Sequence, residues 1–255
     1  MSRGGNVNAQ NQIHGKKLLS IPVGGQTKNL IVLRGNGTTR LFEGHPLVET
    51  LNKEHGTGLS VISPKVADAA LNTADTCRHL RGDFAVDAAI AYERYGARLG
   101  KEIVFVTRSG SAVVLATGKH EGKENVALVA LGLSSADFKK DGRYTILDIH
   151  ENRLIAVPDF PSRDPTRNSY YLPHAETGVP HGGEVEQSTD TRFLVGTGEY
   201  SPYVGLLTSI SDIYGSLLHS VCAFHEPFAE LGVVAEVPDA DVPKIQALLN
   251  KQNGV

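Results

Sequence analysis

Short runs of apolar residues, bounded by glycine, proline and asparagine, recur along most of the chain. Runs of this length with turn residues at both ends predict β-strands. An Asn-Gly pair within Gly35-Asn36-Gly37 separates two of the runs and predicts a hairpin. Three runs between residues 103 and 131 predict an antiparallel meander, and residues 144–157 predict a second hairpin. The predicted strands cover residues 18–23, 30–34, 38–42, 59–62, 103–107, 111–116, 125–131, 144–149, 154–157, 193–196 and 233–237.

Longer segments between these strands carry helix signals. Ser63-Pro64 and Ser201-Pro202 each place a capping side chain before a proline at the first helical position. Strands paired in hairpins and interrupted by about five helices predict an α+β fold with a mixed, mainly antiparallel sheet. The predicted helices cover residues 46–55, 63–80, 83–100, 202–225 and 243–251, with a short helix starting at Ser135.

The predicted helix over residues 202–225 is almost free of charge. Asp212 is its one charge as far as Phe224, and apolar side chains cover more than half of its circumference. A helix of this kind is buried, either in the core or in a subunit interface that resembles a core cut in half. The Ser and Thr residues, Asp212 and His219, together with the lack of basic flanks, argue against a membrane span. We therefore expect a homo-oligomer and no membrane partner.

The segment 158–190 contains five prolines and little periodicity, which predicts a long loop of the kind that is often functional. Residues 1–16 hold few large apolar groups and predict a flexible basic tail. The remaining residues, 17–255, are expected to form one α+β domain. The N-terminus has no apolar stretch, so a cytoplasmic location is expected. The two cysteines, far apart in sequence, do not form a disulfide framework.

Charge is distributed unevenly along the 255 residues, although the net charge is only −3. Residues 1–42 contain no acid and carry +6, whereas residues 43–255 carry −9. A basic segment of this kind suggests an anionic partner. The basic residues of the segment are Arg3, Lys16, Lys17, Lys28, Arg34 and Arg40.

Two kinds of partner fit this basic segment. A third interpretation is that the segment is a solvated tail without a partner. Single-stranded RNA or DNA would supply phosphates, and aromatic side chains would then be needed to stack on the bases. The acidic remainder of a neighbouring subunit would also complement the charge. Further side chains that mix positive charge with aromatic faces are Arg163, Arg167, Tyr170 and Tyr171.

One arrangement in the predicted loop could hold a metal ion. Two imidazoles and two carboxylates lie within eleven residues, on His174, Glu176, His181 and Glu184. Zn²⁺ and similar ions accept these groups as ligands. A polar, solvated loop is the alternative. His174 and His181 would be ligands, with Glu176 or Glu184 as ligand or general base. The chain has no nucleotide-binding P-loop and no Gly-x-Ser-x-Gly nucleophile elbow.

These patterns favour a non-enzymatic binding or assembly protein that self-associates through the apolar region around residues 202–237. Its basic N-terminal region would contact single-stranded nucleic acid or a neighbouring subunit. The alternatives are a metal-dependent, hydrolase-like enzyme with its site in segment 158–190, and a small-molecule binding domain with a pocket under the same segment. Apart from a divalent metal in the enzyme alternative, no cofactor is predicted, and no catalytic residue is assigned.

Overall fold

The structure is a computed structural model, and it describes the chain in separate stretches. They are residues 13, 15, 17–40, 44–73, 80, 82–92, 103–106, 113–116, 127–141, 144–149, 154–157, 169–188, 190–194, 203–212, 215–222 and 230–254.

Three α-helices occur in the described residues, where the sequence predicts about five. They are α1 (Gly44–His55), α2 (Pro64–Asn72) and α3 (Val242–Asn253). The predicted cap of α2 is confirmed, since the Val66 N–H donates to Ser63 Oγ at 3.3 Å. The predicted short helix at Ser135 is a single 3₁₀ turn, Ser135–Asp137. None of the described helices is long and apolar enough to cross a membrane.

Strands make up most of the remaining described structure. The first eight are Leu19–Val23 (β1), Gln26–Arg40 (β2), Ser60–Val61 (β3), Gly82–Tyr92 (β4), Ile103–Val106 (β5), Val113–Ala116 (β6), Ala127–Leu131 (β7) and Phe138–Asp141 (β8). The others are Tyr144–Ile149 (β9), Leu154–Val157 (β10), Ser169–Pro173 (β11), Pro180–Val185 (β12), Arg192–Leu194 (β13), Tyr203–Asp212 (β14), Gly215–Cys222 (β15) and Glu230–Val237 (β16). With the helices, they give the mixed α+β architecture that the sequence predicts.

These strands form one large sheet and one small sheet. The large sheet has twelve strands, and its main path has the order β1-β2-β16-β4-β14-β15-β13-β11-β12. Off this path, β3 pairs with β16, β7 pairs with β4, and β10 pairs with β7. The small sheet has the order β5-β6-β9-β8. Pairing is mainly antiparallel, as predicted, although β16–β4, β13–β15 and β6–β9 are parallel.

The first hairpin lies earlier in the chain than predicted. Val23 pairs with Gln26, and the two residues between them, Gly24 and Gly25, have φ of 57° and 81°. Two consecutive positive φ angles are those of the type I′ turn that suits a hairpin, and glycine adopts them without strain. The prediction of a turn at Gly35-Asn36-Gly37 is wrong, because β2 continues through these residues. β16 pairs with β2 on both sides of them, and the register of the ladder shifts between Arg34 and Thr39.

The predicted buried helix over residues 202–225 is wrong, because that segment contains the antiparallel strands β14 and β15. The ladder runs from Gly205–Cys222 to Asp212–Gly215 and leaves two residues between the strands. A continuous apolar run has no periodicity that separates a buried helix from a pair of strands. β-Branched and aromatic residues are frequent in the segment, and these residue types favour strands.

The predicted helix over residues 83–100 is also wrong, because its first half is strand β4. Val86 and Ala88 are fully buried, whereas Asp87 between them is partly exposed. This alternation is that of a strand with one buried face. Alanine favours helices when a segment stands alone, but burial between neighbouring strands outweighs that propensity here.

Two further pairings differ from the sequence prediction. In the predicted meander, β5 pairs with β6, but β7 pairs with β4 and β10. In the predicted second hairpin, β9 pairs with β6 and β8 instead of β10. Segment 158–190, predicted as a loop, contains β11 and β12. The hydrophobic pattern predicts where these strands lie, but it does not predict which strands pair with each other.

Apolar side chains fill both faces of the β1–β2–β16 part of the large sheet. Leu30 of β2 and Val234 of β16 pack on one face in a cluster with helix α2, called the α2 cluster below. Leu33 and Val233 pack on the other face with α1 and α3, in the α1–α3 cluster. Alternate residues of the same strands thus enter different clusters, as the period of two requires.

The start of the described chain is packed against this second cluster. Ile13 is buried there, and its carbonyl oxygen accepts a hydrogen bond from Gln252 Nε2 at 2.6 Å. The Gly15 N–H donates to the Val32 carbonyl oxygen at 2.9 Å. The predicted flexible tail over residues 1–16 lies outside the described residues except at these two positions, which are fixed on the sheet.

Candidate functional site

The large sheet divides at β4, and a carboxylate lies at that point. One edge of β4 pairs with β16 at Phe84 and Ala85, and with β7 from Ala88 onward. Asp87 lies between these two ladders, and its N–H donates to the Ile62 carbonyl oxygen at 2.8 Å. A sheet that divides in this way leaves backbone groups that need other partners.

The Asp87 side chain supplies one of those partners and also holds a histidine. Asp87 Oδ1 accepts the Leu133 N–H at 2.6 Å and lies 2.9 Å from His45 Nε2. His45 is in the first turn of α1 and is only 7% exposed, while Asp87 is 16% exposed. The pair therefore ties α1 and the segment after β7 to the dividing point of the sheet.

A histidine held by a carboxylate is also a component of general-base sites. The His45 ring is nevertheless almost entirely enclosed by protein, so the arrangement serves packing and orientation. The sequence reasoning did not single out Asp87. The signal that could have found it is a lone charge within the apolar run from Phe84 to Ala91, since a buried charge requires partners.

The last two strands of the large-sheet path form a hairpin that is anchored on α2. We call residues 169–191 the terminal hairpin: it comprises β11, the turn 174–179, β12 and the connection to β13. The turn is closed by the His174 N–H donating to the Val179 carbonyl oxygen at 2.8 Å, and by the Gly178 N–H donating to the His174 carbonyl oxygen at 2.7 Å. Val179 and Tyr171 are buried in the α2 cluster.

Gly178 allows the turn to approach the helix closely. Its φ is +75°, and a Cβ at this position would lie 2.6 Å from the Cα of Lys65 and 2.7 Å from the carbonyl carbon of Pro64. Both atoms belong to the backbone at the start of α2 and cannot move aside cheaply. Only glycine therefore fits at this contact.

The predicted metal-binding residues fall on the terminal hairpin. The Glu176 N–H donates to His174 Nδ1 at 3.3 Å within the turn, and the Glu176 side chain is exposed. His181 and Glu184 lie on β12, where His181 is opposite Leu172. The described side chains include no group of three or more His, Cys, Asp or Glu that could hold a metal ion. The metal site stays a prediction.

The predicted basic residues are partly engaged within the fold. Lys28 Nζ lies 2.8 Å from Glu236 Oε1, so a carboxylate from the far end of the chain neutralises this cation. Arg40, on β2, lies opposite Glu230 in the ladder with β16, which is the strand that also carries Glu236. Arg34 is half-buried and Lys17 is exposed. Arg3, Lys16, Arg163 and Arg167 lie outside the described residues.

The two tyrosines proposed to stack on bases have different environments. Tyr171 is 2% exposed and belongs to the α2 cluster, so its ring is not at the surface. Tyr170 is half-buried on the neighbouring position of β11. Opposite Tyr171, β12 carries a bulge at Gly182, Gly183 and Glu184, since Tyr170 pairs with Val185 and Leu172 with His181. Glycines are common where a strand bulges.

Two large hydrophobic side chains are exposed among the described residues. Leu172 on β11 is 42% exposed, and Ile155 on β10 is 44% exposed. β11 pairs with β12 on one side, and β10 approaches β12 as well. Both side chains therefore lie on strands next to β12, which is the last strand of the hydrogen-bonded path. Sequence reasoning did not identify either residue, because exposure depends on the final packing.

A second polar network connects the two helices that pack in the α1–α3 cluster. Asp241, just before α3, accepts the Gly58 N–H at 2.7 Å and lies 3.0 Å from Lys244 Nζ. Lys244 Nζ also donates to the Gly56 carbonyl oxygen at 2.6 Å. The Gly58 N–H, and then the Lys244 ammonium, hold the pKa of Asp241 below its usual value. This network joins the end of α1 to the start of α3.

Comparison with known protein families, with curated proteins and with solved structures finds no match to this chain. Its function is therefore argued from its own residues.

Proposed function

We propose that the chain is a non-enzymatic binding protein that self-associates through the surface around β12. The observation that carries this proposal is the exposure of Leu172 and Ile155 on the two strands that neighbour β12. Contiguous exposed apolar surface is typical of contact sites, and these two side chains lie on strands that both approach β12. A second copy would bury both.

The backbone at this end of the sheet is consistent with such a contact. None of the described strands forms a ladder with β12 other than β11. β10 approaches β12 without forming a ladder with it, and backbone N–H and C=O groups without a ladder partner can pair with another chain. Apolar side chains beside such an edge would add specificity to backbone pairing.

Two observations favour a protein partner over nucleic acid. Lys28 is neutralised by Glu236, which reduces the charge that the N-terminal segment can offer to phosphates. Tyr171 is buried and is not available for stacking on a base. Binding of single-stranded nucleic acid is therefore the alternative result of the experiment described next.

The test is the solution mass of the full chain over a range of concentrations, with the ratio of absorbance at about 260 and 280 nm to detect bound nucleic acid. We expect an oligomer free of nucleic acid. Leu172→Asp and Ile155→Asp should each weaken association by about tenfold or more, because a charge would have to be buried at the contact.

Ser20→Asp provides the matched control. Ser20 is exposed on β1, the terminal strand at the other end of the path, so the same charge is introduced away from the proposed contact. This variant should associate like the native chain. A monomeric native chain, or association that Leu172→Asp and Ile155→Asp leave unchanged, would contradict the proposal. Nucleic acid bound to the native chain would favour the alternative partner.

A further inference from the structure

The terminal hairpin carries acidic residues in its turn, on β12 and in the connection that follows β12. Between Arg167 and Arg192 the sequence contains no Lys or Arg and four acids: Glu176, Glu184, Glu186 and Asp190. The side chains of Glu176, Glu186 and Asp190 are exposed. No ion pair links these three carboxylates to a cation within the described part of the chain. A surface with exposed Leu172 and net negative charge therefore lies at this end of the sheet.

The complementary charge is present in the same sequence. Residues 1–17 carry Arg3, Lys16 and Lys17 and no acid. The hairpin packs on the α2 cluster through Tyr171 and Val179, whereas Ile13 is held in the α1–α3 cluster on the other face of the sheet. Ile13, which belongs to this basic segment, therefore lies on the face of the sheet opposite to the cluster that holds the hairpin of its own molecule.

We propose that the terminal hairpin receives the basic side chains of the N-terminal segment, residues 1–17, of a second copy of this chain, whose Ile13 and Gly15 remain packed on their own sheet. This inference rests on the self-association proposed above and names the segment that occupies the surface. Charge complementarity would set the orientation of the contact, and burial of Leu172 would contribute apolar area. Because exposed charges are screened by salt, association should weaken as ionic strength rises from about 50 mM to about 500 mM.

A charge-swap experiment tests the pairing directly. One variant of the full chain carries Glu176→Lys, Glu186→Lys and Asp190→Lys, and a second carries Arg3→Glu, Lys16→Glu and Lys17→Glu. Each variant alone should associate about tenfold or more weakly than the native chain. An equimolar mixture should return to within about threefold of the native affinity, since each altered segment then meets a surface of opposite charge. Sedimentation velocity measures the masses, and circular dichroism verifies that each variant is folded.

The possible outcomes separate this inference from the proposed function. If Leu172→Asp dissociates the oligomer but the charge variants associate normally, the inference fails and self-association through the hairpin stands. If the variants weaken association and the mixture does not recover, the segment does not bind the hairpin. If the charge variants change stability but not mass, the segment docks on its own molecule. Loss of bound nucleic acid in the second variant alone would assign the segment to that partner and overturn the inference.

Discussion

The two ends of the large sheet are built differently. At the β1–β2–β16 end, both faces are covered, by α2 on one side and by α1 and α3 on the other. At the β11–β12 end, Tyr171 is buried against the α2 cluster, while Leu172 beside it is 42% exposed. The first end has the packing of a region that provides stability. The second end is only partly covered, and a mutation should therefore act differently at each end.

The same substitution at the two ends gives the strongest test of this difference. Leu33 is fully buried in the α1–α3 cluster, so Leu33→Ala should lower the free energy of unfolding by about 3–5 kcal/mol. Leu172→Ala should lower it by less than about 1 kcal/mol, because the side chain is already 42% exposed and leaves a smaller cavity. Urea denaturation followed by circular dichroism measures both. Similar losses at the two positions would show that the terminal hairpin is as deeply packed as the core.

The next test concerns how the terminal hairpin is attached. Gly178→Ala should cost about 2–4 kcal/mol of unfolding free energy, because it combines a positive φ with a backbone clash against α2. Gly56→Ala is the matched control: its φ is +61°, but a Cβ there meets nothing within 4 Å. That control should cost only about 1–2 kcal/mol, from backbone conformation alone. Equal losses would mean that the turn does not rest on α2.

The His45–Asp87 pair connects the covered end to the centre of the sheet, and its contribution can be measured with a double-mutant cycle. Asp87→Ala should cost about 1–3 kcal/mol, because the buried Leu133 N–H loses its acceptor. His45→Ala and the double variant complete the cycle. Asp239→Ala, which removes an exposed carboxylate, is the control and should cost less than about 1 kcal/mol. Additive losses in the cycle would show that His45 and Asp87 act independently.

The smallest effect is expected at Asp241, and it depends on pH. Hydrogen bonds lower the pKa of this carboxyl in the folded protein, so the ionised form is the one that stabilises the fold. Its contribution is complete above the pKa of the unfolded chain and is lost as the pH falls through the lowered folded value. Thermal unfolding of the native chain and Asp241→Asn should therefore differ at neutral pH and converge in acid. Lys244→Met should lower the unfolding temperature by less, because the hydrogen bond from the Gly58 N–H to Asp241 remains. A difference in unfolding temperature between the native chain and Asp241→Asn that does not change with pH would contradict this explanation.

Local patterns in the sequence predicted those features that depend on neighbouring residues. The Ser63 cap, the limits of α1 and α3, and strands such as β1 and β16 follow from capping, proline placement and short apolar runs. The helix predicted over residues 202–225 failed because an apolar run without clear periodicity suits a buried helix and paired strands equally. The Ala-rich β4 failed because neighbours distant in sequence override helix propensity.

The candidate site was harder to predict, because it depends on contacts between remote segments. The acid-free composition of residues 1–42 was visible, but Glu236 approaches Lys28 only when β16 pairs with β2. Likewise, no local pattern indicates that His45 and Leu133 would both contact Asp87. The metal-binding prediction was based on spacing alone, and the described structure neither assembles nor tests the complete set.

The pairing of β2 with β16 has a consequence for how the protein is made. The β1–β2 hairpin is synthesised early, but its principal partner strand begins at Glu230, about two hundred residues later. Until that strand leaves the ribosome, the inner edge of β2 has no native partner and is open to pairing with other chains. Nascent chains should therefore acquire their stable fold only after β16 has been synthesised, and deletions that remove β16 should leave an aggregation-prone product.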